Sequence, residues 1–452
     1  MQIIQKPSGN TMKILGKPKA SEGSFRWMTY VLSRNVEDGV LVFHTLTREL
    51  LLLTPEEYAE ADSIPELREK WFRVPQEMED RKYADQVRFV RKTMRKKPEH
   101  ITKYTIFTTT DCNARCFYCY EMGRSRIPMT EETAHKAASY IANHCGGKPV
   151  MLSWFGGEPL YNRQVIDIIC NDLAEKGISY QSSITSNGYL FNEELVRKAV
   201  NLWKVNIAQI TLDGTESVYN RTKAFIYRDE KSPYQIVTEN IGRLLDAQIR
   251  VQIRLNIDHY NAEDLMKLVE ELHQRFSEKE NLVVYSHVIF ESLGSKPHSR
   301  SQEERRELYE KQQRLRKRIA ALGFSGKRGV NQNLRLNYCM ADSGHALTIL
   351  PDGSLGLCEH YSEDNFVGHI DREGLDEQMV RSFHECWEPI EDCSGCFFYP
   401  ECIRLKKCIE SEMCFPEIQE EHRQDTLDGM EKTYAAWRSK EEPDEEDQPG
   451  QC

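Results

Sequence analysis

Three cysteines, Cys112, Cys116 and Cys119, stand in the order C-x3-C-x2-C. Three thiolates on one tight loop can hold three irons of a 4Fe–4S cluster. The fourth iron is then left without a protein ligand, and an open metal site can bind and activate a substrate. The competing reading is a structural zinc site. That site calls for four ligands in closed geometry, and the nearest histidines, His100 and His135, lie well outside the loop.

A second group runs Cys339, Cys358, Cys386, Cys393, Cys396, Cys402, Cys408 and Cys414. Eight thiols are what two clusters with four cysteine ligands each require, although C-x2-C spacing also suits a zinc ribbon. The chain has 14 cysteines in all. No secretion signal opens it, so a cytoplasmic location is expected, where thiols stay reduced and clustered cysteines point to metal rather than to disulfides. Cys145 and Cys170 fall in or beside helix-like stretches and read as packing residues, and Cys452 as a bystander.

Four further segments carry chemistry. Gly156-Gly157-Glu158-Pro159 offers close backbone approach and a carboxylate that can pair with an ammonium. Thr185-Ser186-Asn187-Gly188, Thr211-Leu212-Asp213-Gly214 and Arg254-Leu255-Asn256 follow at intervals.

The elements that must position these residues repeat. Strand signals fall at 104–110, 149–156, 180–186, 207–212, 250–257 and 283–290, with helical stretches between them. Such alternation predicts an α/β fold with a parallel sheet and right-handed crossovers. Six units are too few for a closed eight-fold barrel, so a partial (β/α)6 barrel is expected. In barrels of this kind ligands lie at the C-terminal strand ends, and all five chemistry-bearing segments fall there.

Residues 1–98 read as a separate module. A hairpin turns at Glu37-Asp38-Gly39, and a helix starts with Thr54 as cap and Pro55 at its first position. The pattern looks like a winged helix. Residues 301–322 predict a charged helix, and 346–350 and 355–358 a hairpin around Pro351-Asp352-Gly353. An amphipathic helix over 420–438 precedes a disordered acidic end. The expected organisation is 1–98, a barrel over 99–300, a linker helix and cysteine-rich domain over 301–420, and a helix with tail over 421–452.

A net charge of −11 argues against a nucleic-acid partner. No apolar run approaches the ~18 residues of a membrane span.

The C-x3-C-x-aromatic-C motif, with Tyr118 in the aromatic place, resembles that of the radical S-adenosylmethionine superfamily. The resemblance covers roughly residues 100–415. It implies an open iron that chelates the methionine amino and carboxylate groups of S-adenosylmethionine, and reductive cleavage to a 5′-deoxyadenosyl radical. It also implies that Tyr118 contacts adenine and that Gly156, Gly157 and Glu158 serve the methionine amino group. Ser186 and Asn187 would lie near the ribose. Thr211 and Lys223 would serve the cofactor carboxylate, with Lys223 where relatives often carry Arg, and Arg254 would face the site. The second cysteine group is similar to the SPASM domain, which carries two auxiliary 4Fe–4S clusters and so brings the total to three. The pattern matches up to Cys402 and then departs, with five residues rather than three before Cys408. Carried over, Cys339, Cys358 and Cys408 would hold the inner cluster, and Cys393, Cys396, Cys402 and Cys414 the outer one. Cys386 either completes the inner cluster or leaves it an open iron.

The subfamily acts mostly on peptides. The expected function is a maturase of a ribosomally made precursor peptide, bound through its leader at the N-terminal module, with a thioether as the expected cross-link. A flavodoxin- or ferredoxin-type donor would supply electrons. A sulfatase-maturing enzyme is the alternative. There an Asp serves as base, and here Glu359 follows Cys358 in that place. A non-enzymatic iron–sulfur or zinc protein is the third reading.

Overall fold

The computed structural model describes residues 1–18, 23–93, 99–119, 121, 125–289, 300–324, 329–334, 340–359, 366–384, 393, 395–402 and 416–441. Cys339, Cys386, Cys408 and Cys414 lie outside the described residues.

The chain forms two compact units. The larger holds Lys97–Gly326 and Cys339–Glu385. Its six parallel strands are Lys103–Phe107, Val150–Phe155, Tyr180–Ser186, Val205–Thr211, Arg250–Ile257 and Leu282–Val288. They lie side by side in chain order, each hydrogen-bonded to the next. Helices Glu131–His144, Arg163–Glu175, Glu193–Asn201, Pro233–Asp246 and Ala262–Phe276 join them.

Local sequence explains these elements. Thr130, Asn192 and Ser232 cap helices by accepting from the backbone N–H three residues on. Ala134, Ala137, Ala138 and Ile141 recur at the spacing of one helix face, and all are buried. In the strands, alternate residues face opposite sides. Leu152 and Trp154 are fully buried, whereas Met151 between them is 37% exposed.

The other strand face mixes apolar residues such as Met151 and Phe155 with polar ones. Ser153 and Ser183 hydrogen-bond across neighbouring strands at 3.1 Å, and Tyr285 donates to Gln209 Oε1 at 2.6 Å. Barrels of ordinary enzymes fill this side with branched apolar residues. Here polar side chains bond across it.

The hairpin expected at 346–358 forms, as Ala346–Ile349 and Ser354–Gly356. It does more than the sequence indicates. Ala346–Ile349 pairs in parallel with the first strand, and Ser354–Gly356 and Gly368–His369 follow antiparallel, so the sheet has nine strands among the described residues. The charged helix is Gln302–Ala321, capped reciprocally by Ser301 and Glu304.

The smaller unit holds Met1–Lys96, Lys327–Tyr338 and Cys386–Cys452, so the segment expected as one cysteine-rich domain is shared between the two units. The hairpin expected at its centre pairs Val31–Val36 with Gly39–His44. Leu50–Leu53 and Gln2–Gln5 extend it to a four-stranded antiparallel sheet. Thr54 and Glu57 form the capping box of the helix Pro55–Ala59. One sheet face packs Leu41, Phe43 and Leu52 against Leu427, Met430 and Tyr434 of the helix Pro416–Glu441. The other packs Val40, Val42 and Leu51 against Leu67 and Phe72. No helix among the described residues is long and apolar enough to cross a membrane.

Candidate active site

Past Phe107 the chain leaves the sheet. Thr109 bridges to Pro128, and Thr110 N–H donates to Ile127 O, which forms the base of the loop that carries Cys112, Cys116 and Cys119. All three thiols are free and half-buried. Cys112 Sγ accepts from Ala114 N–H at 3.3 Å and from Asn187 Nδ2 at 3.7 Å. Burial pushes the Cys112 thiol up to about 12, and the charges of Glu158, Cys116 and Cys119 add to the rise. Cys119 rises to about 11, and Cys116 rises as well, both mainly by burial. Three thiolates that repel one another need positive charge to coexist, which a bound metal would supply.

The two glycines after the second strand are fixed by this loop. A Cβ on Gly156 would stand 2.2 Å from Thr109 O, and one on Gly157 would stand 2.3 Å from Asp111 O. Gly157 N–H donates to Thr109 O at 3.0 Å, and Glu158 N–H to Asp111 O at 2.9 Å. The glycine pair therefore clasps the root of the cysteine loop.

Glu158 is fully buried. Its carboxylate accepts from Ser186 Oγ at 2.8 Å, Asn187 N–H at 2.8 Å and Leu160 N–H at 3.1 Å. It thereby ties the second strand end to the third. Burial raises it to about 7 against the pull of these hydrogen bonds. A buried carboxylate in that position favours a cationic group beside it. Asn187 continues the chain of contacts, donating to Asn113 Oδ1 at 2.7 Å inside the cysteine loop.

Tyr118 connects the loop to the later strands. Its hydroxyl donates to Asp213 Oδ2 at 2.6 Å and accepts from Lys223 Nζ at 2.9 Å and Asn256 Nδ2 at 3.1 Å. Lys223 also donates to Thr211 Oγ1 at 2.7 Å and pairs with Asp213 at 2.9 Å. Burial alone would lower the Lys223 ammonium, but the charges of Asp213 and Cys116 outweigh it and raise it. All three ammonium donors are thus engaged within the protein. Lys223 ends the helix Glu216–Lys223, which the strand–helix count did not anticipate. Arg254, half-buried, donates through Nε to Asn256 Oδ1 at 2.9 Å.

The structure therefore brings together Cys112, Cys116, Cys119, Tyr118, Gly156, Gly157, Glu158, Ser186, Asn187 and Thr211 at or just past C-terminal strand ends, with Arg254 inside the fifth strand and Lys223 at the end of a helix. Asp213 and Asn256 join them. Both stand within segments noted in the sequence, but their role as partners of the Tyr118 hydroxyl comes from folding alone. Cys358 and Glu359 approach from elsewhere. Ser354–Gly356 runs back toward the N-terminal end of the first strand, and these two residues follow it. Cys358 Sγ lies 3.8 Å from Glu359 Oε2. Among the described residues, no group of three or more His, Cys, Asp or Glu side chains is arranged around a single metal ion. In a 4Fe–4S cluster each thiolate binds its own iron, so the ligands do not converge on one point.

The Radical SAM superfamily profile matches residues 106–272. Residues 106–272 are a radical SAM domain. Such a domain implies a 4Fe–4S cluster and S-adenosylmethionine, and the donor set above suits both. A probable GTP 3′,8-cyclase of Archaeoglobus fulgidus is 35% identical over 119 residues, which is 25% of this chain and 37% of that protein. The sporulation killing factor maturation protein SkfB of Bacillus subtilis is 23% identical over 168 residues, 37% of this chain and 38% of that protein. The chain thus spans about two-fifths of the length of these curated relatives. Two solved structures share the fold. Native anSMEcpe with bound AdoMet aligns with a TM-score of 0.53 at 16% identity, over 75% of this chain and 98% of that one. Streptococcus suis SuiB bound to S-adenosylmethionine aligns with a TM-score of 0.51 at 12% identity, over 86% and 96%.

Proposed function

We propose that the chain is a radical SAM peptide maturase that removes a hydrogen atom from a ribosomally made precursor peptide and installs a cross-link, with a thioether as the product. When bound, the cluster and S-adenosylmethionine supply a carbon radical able to take an unactivated hydrogen. The chain's own residues hold and orient. Cys112, Cys116 and Cys119 are the iron ligands. Glu158, backed by Ser186 and Asn187, receives the cofactor ammonium. Gly156 and Gly157 keep the loop close. Tyr118 presents its ring to the adenine while Asp213, Lys223 and Asn256 hold its hydroxyl. Thr211 and Arg254 form the polar side read as taking the cofactor carboxylate, and Lys223, its donors held by Tyr118, Thr211 and Asp213, adds its positive charge behind them.

One observation carries the peptide reading. The radical-generating residues gather at the C-terminal strand ends, next to the inward-facing polar residues Ser153, Ser183, Gln209 and Tyr285, and Cys358 with Glu359 follows a strand that runs the opposite way in the same sheet. A peptide side chain reaching those strand ends would meet hydrogen-atom abstraction, and Glu359 is read as the carboxylate base. Cys358, with Cys339, Cys408 and Cys386, is read as serving the inner auxiliary cluster. Cys393, Cys396, Cys402 and Cys414 are read as serving the outer one. The N-terminal unit is read as a winged-helix-like recognition module. Its outermost strands, Gln2–Gln5 and Val31–Val36, each have one neighbour in the described sheet, and a leader peptide can add to such an edge. A flavodoxin- or ferredoxin-type protein is the proposed electron donor.

The test is anaerobic reconstitution with iron and sulfide, then incubation with S-adenosylmethionine, a reductant and a co-encoded small peptide. Formation of 5′-deoxyadenosine and a peptide lighter by two hydrogens is the expected result. 5′-deoxyadenosine without any change in a Cys-containing peptide sinks the cross-linking reading. A peptide cysteine converted to formylglycine moves the assignment to sulfatase maturation.

A further inference from the structure

The three described cysteines of the outer group belong to the smaller unit, and Cys393 and Cys396 pack in its core. Cys393, 7% exposed, packs with Met28, Tyr30, Leu46, Trp71 and Val87, and Cys396 packs against the same cluster. Phe397 enters the next cluster with Leu32, Leu41 and Phe43. Polar side chains from the sheet then pin the backbone of this segment. Thr45 Oγ1 donates to Phe397 O at 2.8 Å. Arg48 pairs with Glu401 at 3.2 Å, with both side chains buried.

The helix Asp80–Thr93 adds cations. Arg88 Nη1 donates to Tyr399 O and to Cys402 O, each at 2.6 Å. Its guanidinium also lies over the Tyr399 ring, 4.9 Å from the centroid. Arg81 lies over the same ring at 5.2 Å. Asp85 accepts the Tyr399 hydroxyl and stands 3.7 Å from Arg81, so it partly matches the charge of Arg81.

Zinc and iron–sulfur centres both need thiolates, but only the latter has a potential to tune. That potential depends on net charge, hydrogen bonding and burial around the ligands. A guanidinium bonded to the carbonyl of Cys402 itself stabilises the extra electron of the reduced state.

We propose that Arg88, supported by Arg81, orients the Cys402 end of the outer cluster and raises its reduction potential, so that the N-terminal unit carries this cluster as part of its own core. The inference rests on the reading of Cys393, Cys396 and Cys402 as iron ligands. Arg88 acts through these ligands as a positioning residue, with no contact to substrate required of it.

The experiment uses the full chain, reconstituted anaerobically, with iron counting and an electron-paramagnetic-resonance-monitored redox titration. The wild type is expected to hold three clusters. Arg88→Gln shifts one couple to more negative potential and leaves the other two in place, and Arg88→Lys, which keeps the charge, returns that couple most of the way. All three couples unchanged in Arg88→Gln overturns the inference, as does an equal shift in Arg88→Lys. If Arg88→Gln does not retain the cluster, Arg81→Gln carries the test: a smaller shift in the same direction supports the inference, and an unmoved couple overturns it. A wild type with a single cluster sinks the ligand reading and this inference together. Three clusters with unmoved potentials sink this inference alone.

Discussion

Two cysteine triads in this chain sit in opposite surroundings. Cys112, Cys116 and Cys119 stand on a loop beyond a strand end, among the buried polar groups Glu158, Asn187, Asp213 and Lys223. Cys393 and Cys396 pack in an apolar core beside Trp71 and Met28, with arginines at the edge. The first environment is costly, because buried charges must find partners. It can be kept only where those groups meet a ligand. The second is the ordinary interior of a domain. The residue type is the same, and the surroundings separate a cluster of buried, paired charges from an apolar core.

The sharpest way to break this comparison is to remove the first triad. Replacement of Cys112, Cys116 and Cys119 by alanine is expected to cut 5′-deoxyadenosine formation by about 10³-fold or more, to background, as read by chromatography. The same protein should keep its remaining iron. Turnover near wild type would erase the distinction between the triads.

The next largest effect is on the ionic framework. Lys223→Ala leaves Asp213 buried without its cation. It should cost the radical SAM domain about 3–5 kcal/mol in denaturant unfolding. A loss under about 1 kcal/mol would mean the pair is not holding the site.

Glu158 gives the polar site a pH signature. Its folded value of about 7 lies above the ordinary 4.5, so the folded state binds its proton more tightly. Its contribution to stability is complete below pH 4.5 and is lost as pH rises through about 7. With no cofactor bound, the expected fall is on the order of 1–3 kcal/mol across that window, and Glu158→Gln should abolish it. An unchanged pH profile in Glu158→Gln would contradict the burial assigned to this carboxylate.

The smallest effect belongs to the apolar triad. In metal-free protein, Cys393→Ala should cost about 1 kcal/mol, as read by tryptophan fluorescence on unfolding. An unchanged stability would contradict the packing of this side chain in the apolar core.

Much of the radical SAM domain was legible in the chain. The strand expected at 180–186 is Tyr180–Ser186, and the helical stretch expected between the last two strands is Ala262–Phe276. Strand alternation, apolar helix faces and caps such as Thr130 and Ser232 are local signals, so they survive reading one residue at a time. The strand-end motifs were legible for the same reason, because each occupies only three or four consecutive residues.

What the sequence determined by itself is the donor inventory and the βα rhythm: which groups can ligate iron, and that they follow strands. Only the tertiary structure decided their partners. Asp213 and Asn256 close on Tyr118 from the fourth and fifth strand ends, the hairpin at 346–356 extends the sheet beside the first strand, and Cys393 enters a core made by Met28 and Trp71. These contacts join residues tens to hundreds of positions apart. The chain carries no local record of them, because burial and cross-strand register arise only when distant segments meet.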